Sequence, residues 1–452
     1  MSHRFAAVLL AAGQGTRMKS DIPKVLHEIA GRSMIGHVAA AVAVLHPAAE
    51  IIVHAPGGEH IVGSVDGAVG AEQSRALGTG DALKAALPLL PDDVDTVLVL
   101  YGDTPFISSN TLRTMLDLRA AADAPAVVVL GFDAALPNMY GRLVVDAAGQ
   151  LTEIIEARDA SDAQLAITLC NSGIMAIAAD RLADWLGQIS NTNAKGEFYM
   201  TDLVAIACAA GARCAAVAGQ ESEALGIDDR LALARAEVMM QDRLRQAAMA
   251  EGATLIDPAS VYFSYDTVLG RDCVIHPQVV FGPGVHLEAR VEIKSFSHIE
   301  ASRIAEGAAI GPFARLRGGA EIAADVRIGN FVEVKNARLH TGVKAGHLSY
   351  LGDADIGAGA NIGAGTITCN YDGIDKHRTT IGAGAFIGSN TALVAPVKIG
   401  ADAMIAAGST ISRDVDPAAM AISRAEVRVV AGAATRFRDR RRAKKTKTSS
   451  EG

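Results

Sequence analysis

The stretch IGAGAFIGSNTALVAPVKIGADAMIAAGSTI, residues 381–411, decides the fold of the second half of the chain. An aliphatic residue occupies every sixth position of this stretch and of an earlier one: Ile381, Ile387, Leu393, Ile399, Ile405, Ile411; Ile304, Ile310, Leu316, Ile322, Ile328, Val334. A period of six fits neither a lone helix nor a two-faced strand, but it is typical of a parallel β-helix. Each short strand buries its aliphatic side chain only by stacking on its neighbours. We therefore predict a β-helix of hexapeptide repeats for residues 251–435.

The ladder of aliphatic residues is expected to be less regular outside these two runs. Two short sets of hexad positions are predicted before the first run, offset from each other: Val268, Val274, Val280; Leu287, Ile293, Ile299. Between the runs we expect the register to be lost. Residues 363–373 are predicted to carry an insertion there that leaves the coil.

The composition excludes several classes of protein. Aromatic residues make up 4% of the 452 residues and Gly numbers 45, as a narrow core of small aliphatic side chains requires. The formal net charge of −8 gives the body of the chain no electrostatic footprint for nucleic acid. An odd number of cysteines without a CxxC pair argues against a disulfide framework or zinc site and fits a reducing cytoplasm. These are Cys170, Cys208, Cys214, Cys273 and Cys369.

The N-terminal apolar run allows two interpretations. Residues 4–12 combine a positive charge, an apolar run and small residues, so a cleaved signal peptide is one alternative. The charged segment is minimal, however, and the run passes directly into a Gly-rich turn, which favours a buried first strand. No uninterrupted apolar run reaches the ~18 residues of a membrane-spanning helix, so we expect no membrane insertion.

The first half alternates apolar runs with Ala- and Leu-rich helical stretches. This alternation indicates a mostly parallel, Rossmann-like α/β sheet covered by helices on both faces. Strands are predicted at 5–12, 51–54, 96–101 and 126–132, and helices at 80–90 and 110–122. Ligands of such sheets bind beyond the carboxyl ends of the strands, where the Gly-rich turn and Asp103 fall.

The sequence suggests four segments. Residues 1–228 form the α/β domain, and an amphipathic helix at 229–250 connects it to the β-helix of 251–435. Residues 436–452 are a basic tail, in which eight Lys and Arg residues lie between 436 and 447. Such a block is most often disordered and solvated, and we predict that state here.

The turn GQGTR at residues 13–17 has the composition of a phosphate cradle. Gly permits close backbone approach, and Arg17 adds a fork of donors. The turn is not a Walker loop and lacks the third Gly of a dinucleotide fingerprint, so an ordinary strand–helix turn is the alternative. Asp103 at a strand end suits a hard cation such as Mg²⁺, or equally the N-cap of a helix.

Two motifs together identify a family. LAAGQGTRM at 10–18, followed by Pro23-Lys24, resembles the signature of sugar-1-phosphate nucleotidylyltransferases. The β-helix carries KAGHL at 344–348 and NIGAGT at 361–366. The combination resembles the family of bacterial bifunctional N-acetylglucosamine-1-phosphate uridylyltransferases/glucosamine-1-phosphate N-acetyltransferases. The resemblance covers nearly the whole chain except the tail, and it implies a left-handed β-helix and a homotrimer formed through it.

The resemblance also implies the residues of a uridylyl site. Arg17 and Lys24 would act on the phosphates of UTP, and Asp103 and Asp228 would hold Mg²⁺. The nucleotide and the sugar would be bound by Leu10, Ala11, Ala12, Gly13, Lys24, Gln73, Gly78, Thr79, Tyr101 and Gly102, and by Gly141, Glu156 and Asn171. Asp228 is a departure, because the family usually has Asn there. Its carboxylate still offers oxygen, so we expect metal binding to be retained, and the added charge can alter the metal preference.

For the acetyl site, the resemblance implies that His347 is the base and that acetyl-CoA is the donor. A His in a turn is otherwise most often a solvated polar residue, although its pKa near neutrality suits proton abstraction. Arg317 and Lys335 would clamp the sugar phosphate; the alternative for both is solvated charge on a coil face. Tyr350 and Asn361 would bind the amino sugar, and the acetyl-CoA side would be formed by Ala364, Asn370, Tyr371, Ser389, Ala407 and Arg424. Residues 375–378 are expected to be solvated, with Lys376 able to reach the site.

The leading hypothesis is therefore a cytoplasmic bifunctional enzyme that uses glucosamine 1-phosphate, acetyl-CoA and UTP, with Mg²⁺ as cofactor. One alternative is a nucleotidylyltransferase whose β-helix is only an oligomerisation scaffold. Another is a regulatory protein that binds sugar nucleotides with both sites silent. His347 with Arg317 and Lys335 weighs against the scaffold, and Arg17, Lys24 and Asp103 weigh against the silent protein.

Overall fold

The computed structural model describes residues 4–193 and 195–448, with side chains up to residue 442. The described chain divides into two compact units. The first reaches Leu244 and includes Phe263–Tyr265, and the second holds Arg245–Tyr262 and the residues from Asp266 onward. The division falls inside the helix that is predicted to connect the domains.

The first unit is built on one twisted α/β sheet. Its strands are β1 Phe5–Leu10, β2 Glu28–Ile29, β3 Arg32–Ser33, β4 Ala49–His54, β5 Val69–Glu72, β6 Thr96–Tyr101, β7 Val127–Asp133, β8 Arg142–Val145, β9 Leu151–Ile155, β10 Leu169–Ala178 and β11 Cys214–Gly219. The main order is β11-β7-β10-β6-β1-β4-β5; β8 and β9 extend it at β10, and β2 and β3 pair separately. All main-sheet pairs are parallel except those of β10, which runs antiparallel to β6 and β7.

The α-helices of this unit cover both faces of the sheet. They are α1 Met34–Ala43, α2 Glu59–Val62, α3 Thr79–Ala86, α4 Ser109–Arg119, α5 Asp162–Leu165, α6 Ala179–Leu186 and α7 Asp202–Ala209, and α8 Arg230–Ala250 follows. Central strands are buried on both sides: Val8 and Leu10 belong to one core, and Ala7 and Leu9 to the other. The predicted mostly parallel α/β sheet is confirmed.

The second unit is a left-handed parallel β-helix with three flat faces. The first face stacks Thr254–Leu255, Val274–Ile275, Glu292–Ile293, Ala309–Ile310, Arg327–Asn330, Lys344–His347, Asn361–Ile362, Phe386–Ile387, Met404–Ile405 and Met420–Ala421. The second stacks Val280–Phe281, His298–Ile299, Arg315–Arg317, Glu333–Lys335, Tyr350–Gly352, Ile367–Cys369, Ala392–Val394 and Thr410–Ile411. The third stacks Val268–Leu269, Val285–Leu287, Ser302–Ile304, Ala320–Ile322, Arg338–Leu339, Ala354–Ile356, Thr379–Ile381 and Val397–Ile399.

The aliphatic ladder fills the interior, and its phase differs from the prediction in the early coils. All twelve residues of the two quoted runs are buried. Val268 and Val280, however, are 48% and 36% exposed, whereas Ile275 and Phe281 are buried. The early ladder therefore starts one residue later and continues without an offset into Leu287. Adjacent apolar residues left the phase ambiguous, and a slip of one residue reverses the side of the strand that faces the core.

The register is also kept between the two runs, contrary to the expectation. The buried positions there are Leu339, Ala345, Leu351, Ile356, Ile362 and Thr368. The period of six is hidden in the sequence because the steps to Leu339 and to Ile356 are five residues long. It is hidden further because Ala345 is small and Thr368 is polar. The Thr368 hydroxyl is satisfied inside, donating to the Gly352 carbonyl at 2.9 Å. The predicted excursion from the coil lies at residues 370–378, after the strand Ile367–Cys369.

The end of the chain differs from the disorder predicted for residues 436–452. A helix, α9 Ala433–Thr448, includes most of this segment, and its described side chains are exposed apart from a partly buried Ala433. Residues 449–452 lie outside the described residues. None of the described helices is long and apolar enough to cross a membrane.

Two candidate active sites

The Gly-rich turn after β1 leaves its backbone open at one point and packs tightly at another. A Cβ on Gly13 would meet nothing within 4 Å, so space for a ligand lies directly against this backbone. Gly15 has a φ of 58°, and a Cβ there would lie 2.7 Å from Cβ of Lys24. Gly15 therefore allows Lys24 to approach the turn.

Lys24 brings together the two carboxylates predicted to hold a metal. Its ammonium pairs with Asp103 and lies 3.0 Å from Asp228 Oδ1, which is also 3.0 Å from Arg17 Nη2. The backbone fixes this arrangement, because Ile227 N–H donates to the Asp103 carbonyl at 3.0 Å. Burial lowers the pKa of Lys24, but the two carboxylates outweigh burial and raise the pKa above its ordinary value. Lys24 is therefore a fixed cation.

The donor set at this point fits a hard divalent cation. Asp103 and Asp228 present carboxylate oxygens to one ammonium, so a cation that displaced Lys24 would meet two oxygen ligands. Among residues 4–193 and 195–448, no group of three or more His, Cys, Asp or Glu could hold a metal. Further ligands would therefore have to be phosphate oxygens or water, as is usual for Mg²⁺.

A cavity of about 470 Å³ opens at the carboxyl ends of β1 and β6. It brings together most residues of the predicted nucleotide site: Leu10, Ala11, Ala12, Gly13, Arg17, Lys24, Gln73, Gly78, Thr79, Tyr101 and Asp103. Gly102 holds the neighbouring strands together, since its N–H donates to the Leu10 carbonyl at 3.0 Å. We call this space the nucleotide cavity.

The segment before α3 gives the nucleotide cavity a rigid wall. Gln73 Nε2 donates to the Gly78 carbonyl at 3.1 Å and to Asp81 at 2.8 Å. Gly78 has a φ of 115°, and a Cβ there would lie 2.5 Å from the Phe198 carbonyl oxygen. A side chain at position 78 would therefore push the wall apart.

A second cavity of about 380 Å³ adjoins the first and contains predicted sugar-binding residues. Tyr101, Glu156 and Asn171 line it, and Gly141 accepts a hydrogen bond from the Asn171 N–H at 2.8 Å. Burial raises the pKa of Tyr101, assisted by Asp103 and Glu156, so its hydroxyl stays protonated. Burial also raises the pKa of Glu156. We call this space the sugar cavity.

One wall of the sugar cavity was not predicted from the sequence. This wall consists of Arg158, Lys195, Glu197, Tyr199 and Thr201. The segment from 195 to 201 has no periodicity and no motif, so the sequence carries no signal that would have found it. Lys195 and Glu197 also line the nucleotide cavity.

In the second unit, His347 lies on the corner between the first and second faces. It is exposed, and its Nδ1 lies 2.6 Å from Oδ1 of Asn330, which holds the same position one coil earlier. An amide oxygen only accepts, so Nδ1 carries a proton, and in the neutral ring Nε2 is the nitrogen with the lone pair. The sequence analysis did not name Asn330, although the stacking register of the hexads could have indicated it.

The predicted phosphate clamp forms a cluster of cations on the second face. Arg317 and Lys335 are partners in adjacent strands, and Arg317 Nε donates to Glu333 at 2.6 Å. Lys376, from the excursion at residues 370–378, and then Arg317 lower the pKa of Lys335. Three cations close enough to interact favour the binding of an anion.

The other predicted acetyl-site residues lie on several parts of the β-helix. Tyr350 projects from the second face and Asn361 from the first. Asn370 donates to Asp353, and Tyr371, 61% exposed, donates to the Gly373 carbonyl at 2.6 Å. Within the described part of one chain, these residues therefore lie on two faces and in the excursion at residues 370–378 rather than in one enclosed cavity.

The predicted acetyl-CoA residues form a column that continues the His347 corner. Ala364, Ser389 and Ala407 occupy the equivalent position in three successive coils. The Ala364 carbonyl accepts from Asn390 N–H and the Ser389 carbonyl from Gly408 N–H, both at 2.8 Å. Arg424 donates to the Ala407 carbonyl at 2.9 Å. Small side chains leave room for a long, thin ligand along this edge.

Comparison with known proteins agrees with this two-part organisation. The family model described as "MobA-like NTP transferase domain" matches residues 7–167. The family model described as "Bacterial transferase hexapeptide (six repeats)" matches residues 378–413. A "Bifunctional protein GlmU" from Paramagnetospirillum magneticum is 52% identical over 446 residues, covering 99% of each chain. That of Sphingopyxis alaskensis is 51% identical over 446 residues, covering 98% of this chain and 99% of its own. Identity at this level along nearly the whole of both chains shows that the chain belongs to the GlmU family.

Proposed function

We propose that the chain acetylates glucosamine 1-phosphate with acetyl-CoA and then transfers a uridylyl group from UTP to the product. The second step gives UDP-N-acetylglucosamine and releases pyrophosphate. The observation that carries this proposal is the presence of two separate constellations in one chain. One is Lys24 with Arg17, Asp103 and Asp228, and the other is His347, held by Asn330, on the β-helix that also carries the cations Arg317, Lys335 and Lys376. The two relatives that match along nearly their whole length are each named a bifunctional protein.

In uridylyl transfer, an oxygen of the sugar 1-phosphate attacks the α-phosphorus of UTP in line with the departing pyrophosphate. The reaction needs no protein nucleophile, so positioning and charge account for most of the catalysis. Arg17 and Lys24 would donate to the phosphates of UTP. Mg²⁺ held by Asp103 and Asp228 would offset phosphate charge when bound. Glu156 and Asn171 would hold the sugar.

In acetyl transfer, the amine of glucosamine 1-phosphate attacks the thioester carbonyl, the amide bond forms, the carbon–sulfur bond breaks and coenzyme A leaves as the thiol. The amine must lose a proton, and His347 Nε2 is free to take it because Asn330 holds Nδ1–H. Arg317, Lys335 and Lys376 would bind the sugar phosphate, and Tyr350 and Asn361 the rest of the amino sugar. Acetyl-CoA would lie along the column of Ala364, Ser389 and Ala407, with Asn370, Tyr371 and Arg424 beside it.

A single assay tests the proposed function. The chain is given glucosamine 1-phosphate, acetyl-CoA, UTP and Mg²⁺, and free thiol and pyrophosphate are measured together. We expect both, with pyrophosphate dependent on acetyl-CoA. Pyrophosphate only from pre-acetylated sugar would support the scaffold alternative, and neither product would support a silent binding protein.

We also propose that the chain acts as a homotrimer in the cytoplasm. A β-helix with flat faces and an open acetyl-site edge supports assembly through this unit, and five free cysteines fit a reducing compartment. Sedimentation should give a trimer. A monomer that remains active in acetyl transfer would contradict acetyl sites shared between chains.

A further inference from the structure

A single cation stands at the junction of the two cavities in the first unit. Thr79, Tyr101, Lys195 and Glu197 line both the nucleotide cavity and the sugar cavity. In the part of the chain that the structure describes, Lys195 is the only Lys or Arg shared by both linings. Arg17 and Lys24 line the nucleotide cavity, and Arg158 lines the sugar cavity.

The segment carrying Lys195 is tied to the wall of the nucleotide cavity. Phe198 N–H donates to the Leu77 carbonyl and Gly80 N–H to the Phe198 carbonyl, both at 2.8 Å. Met200 N–H donates to Thr79 Oγ1 at 3.0 Å. These bonds connect the wall between the cavities to the residues expected to hold the nucleotide.

Asn193 fixes the turn in which Lys195 lies. Its Oδ1 accepts from the N–H groups of Lys195 and Glu197, both at 3.2 Å, and its Nδ2 donates to the Glu197 carbonyl at 2.5 Å. Gly196 has a φ of 69°, which the turn requires. The backbone N–H of Lys195 and the backbone of Glu197 are therefore both bonded to the side chain of Asn193.

Among the described residues, the ammonium of Lys195 has a distant ion-pair partner. It lies 4.0 Å from Glu197 Oε2, and the side chain is 47% exposed. It also opposes the rise in the pKa of Glu156 that burial causes, so its charge is felt inside the sugar cavity. An ammonium in this state can turn toward an anion that enters the junction.

The reaction needs a cation at this junction. The phosphate of the sugar and the α-phosphate of UTP are both anions, and they must approach to bonding distance where the two cavities meet. We propose that Lys195 is a further catalytic residue that binds the phosphate of N-acetylglucosamine 1-phosphate and offsets this repulsion. The inference rests on the proposed uridylyl transfer and adds a residue to its site.

The test compares Lys195→Gln, which removes the charge, with Lys195→Arg, which keeps it. Lys84→Gln is the matched control, since Lys84 is an exposed lysine of the same unit on α3. We expect kcat/KM for N-acetylglucosamine 1-phosphate to fall about tenfold or more in Lys195→Gln, because a charged hydrogen bond is lost. Lys195→Arg should recover most of the loss, and the KM for UTP should change little.

The rate should also depend less on salt in Lys195→Gln, which a purely structural role would not cause. A loss smaller than about twofold, or an equal loss of UTP binding, would overturn the inference. Calorimetric binding of N-acetylglucosamine 1-phosphate, with N-acetylglucosamine as control, separates this result from failure of the proposed function. If the wild-type chain releases no pyrophosphate, the uridylyl proposal fails. The role of Lys195 would still be refuted if Lys195→Gln bound N-acetylglucosamine 1-phosphate as tightly as the wild-type chain does.

Discussion

The two candidate sites differ in how much of each one a single chain encloses. In the first unit, Lys24 and Asp103 have side chains only 13% and 18% exposed, and they line the nucleotide cavity, which shares lining residues with the sugar cavity. In the β-helix, His347 is exposed at a corner, while Asn361 and Lys335 lie on different faces. The uridylyl site is therefore nearly complete within one chain, and the acetyl site is an open edge.

This difference follows from the two architectures. A twisted α/β sheet converges its loops at the carboxyl ends of the strands, so one chain can surround a ligand. A β-helix presents flat faces and straight corners, and a small ligand on such an edge stays open to solvent unless another surface covers it. The proposed homotrimer would supply that surface for the acetyl site alone.

The largest expected effect is the loss of acetyl transfer in His347→Ala. Removal of the base should lower acetyl transfer by about 10²–10⁴-fold, while uridylyl transfer by the same preparation stays at the wild-type rate. Thiol and pyrophosphate release measured on separate substrates check both halves. A parallel loss of both activities would contradict the independence of the two sites.

Two further variants sharpen this result. His286→Ala removes another exposed β-helix histidine, which lies on the third face, and should change neither activity. Asn330→Ala keeps the base but removes the hydrogen bond that orients its ring, so a smaller loss of about tenfold in acetyl transfer is expected.

The enclosed site of the first unit should lose most of its uridylyl transfer activity when one charge is removed. Lys24→Met removes the cation that pairs with both Asp103 and Asp228, and uridylyl transfer should fall by about 10²–10³-fold. Acetyl transfer should be unchanged. Pyrophosphate release measures the effect, and Lys84→Met is the surface control. A loss below about fivefold would show that Lys24 positions the two carboxylates without contacting substrate.

The stability of the first unit is expected to depend on pH through one buried carboxyl group. Glu50 on β4 has a buried Oε1 with no hydrogen-bond partner in the described part of the chain, and burial raises its pKa from 4.5 to about 7. Between these values the unfolded chain has lost the proton and the folded chain keeps it, so the stability falls as pH rises and stays lower above pH 7. Because the carboxyl is partly exposed, we expect a loss of about 1 kcal/mol.

Glu50→Gln cannot ionise and isolates this contribution. Its first unit should melt at a higher temperature than wild type at pH 8, and the two should nearly coincide at pH 5. Differential scanning calorimetry at both values checks this, with Glu59→Gln on exposed α2 as the control. Equal melting at pH 8 would show that Glu50 ionises freely in the folded chain.

The sequence predicted the parts of the molecule in which one residue type has one task. An aliphatic residue at a hexad position must face the core of a narrow coil, so the two runs predicted the β-helix. The backbone of the Gly-rich turn at residues 13–17 is open at Gly13, and its composition indicated where the nucleotide cavity lies. The phase of the early coils was wrong because adjacent apolar pairs such as Val274-Ile275 satisfy either register.

The parts that the sequence did not predict depend on tertiary contacts. Lys195 reaches both cavities only because Phe198 and Met200 bond to the backbone and hydroxyl of residues before and within α3. Asn330 orients His347 only because a coil brings residues seventeen positions apart into register. Neither arrangement has a local pattern of composition or spacing.

The smallest expected effect concerns Asp228 and tests how finely the enclosed site is balanced. In Asp228→Asn, an oxygen ligand remains but a negative charge next to Lys24 and Arg17 is lost. Uridylyl transfer at saturating Mg²⁺ should stay within about threefold of wild type. The Mg²⁺ concentration for half-maximal activity should rise about two- to fivefold, and the ratio of Mg²⁺- to Mn²⁺-supported activity should change. Titration of both metals measures these shifts, with acetyl transfer as the unaffected reference. Metal dependence that is identical in the two proteins would remove Asp228 from the metal site, leaving its carboxylate as a partner that positions Lys24 and Arg17.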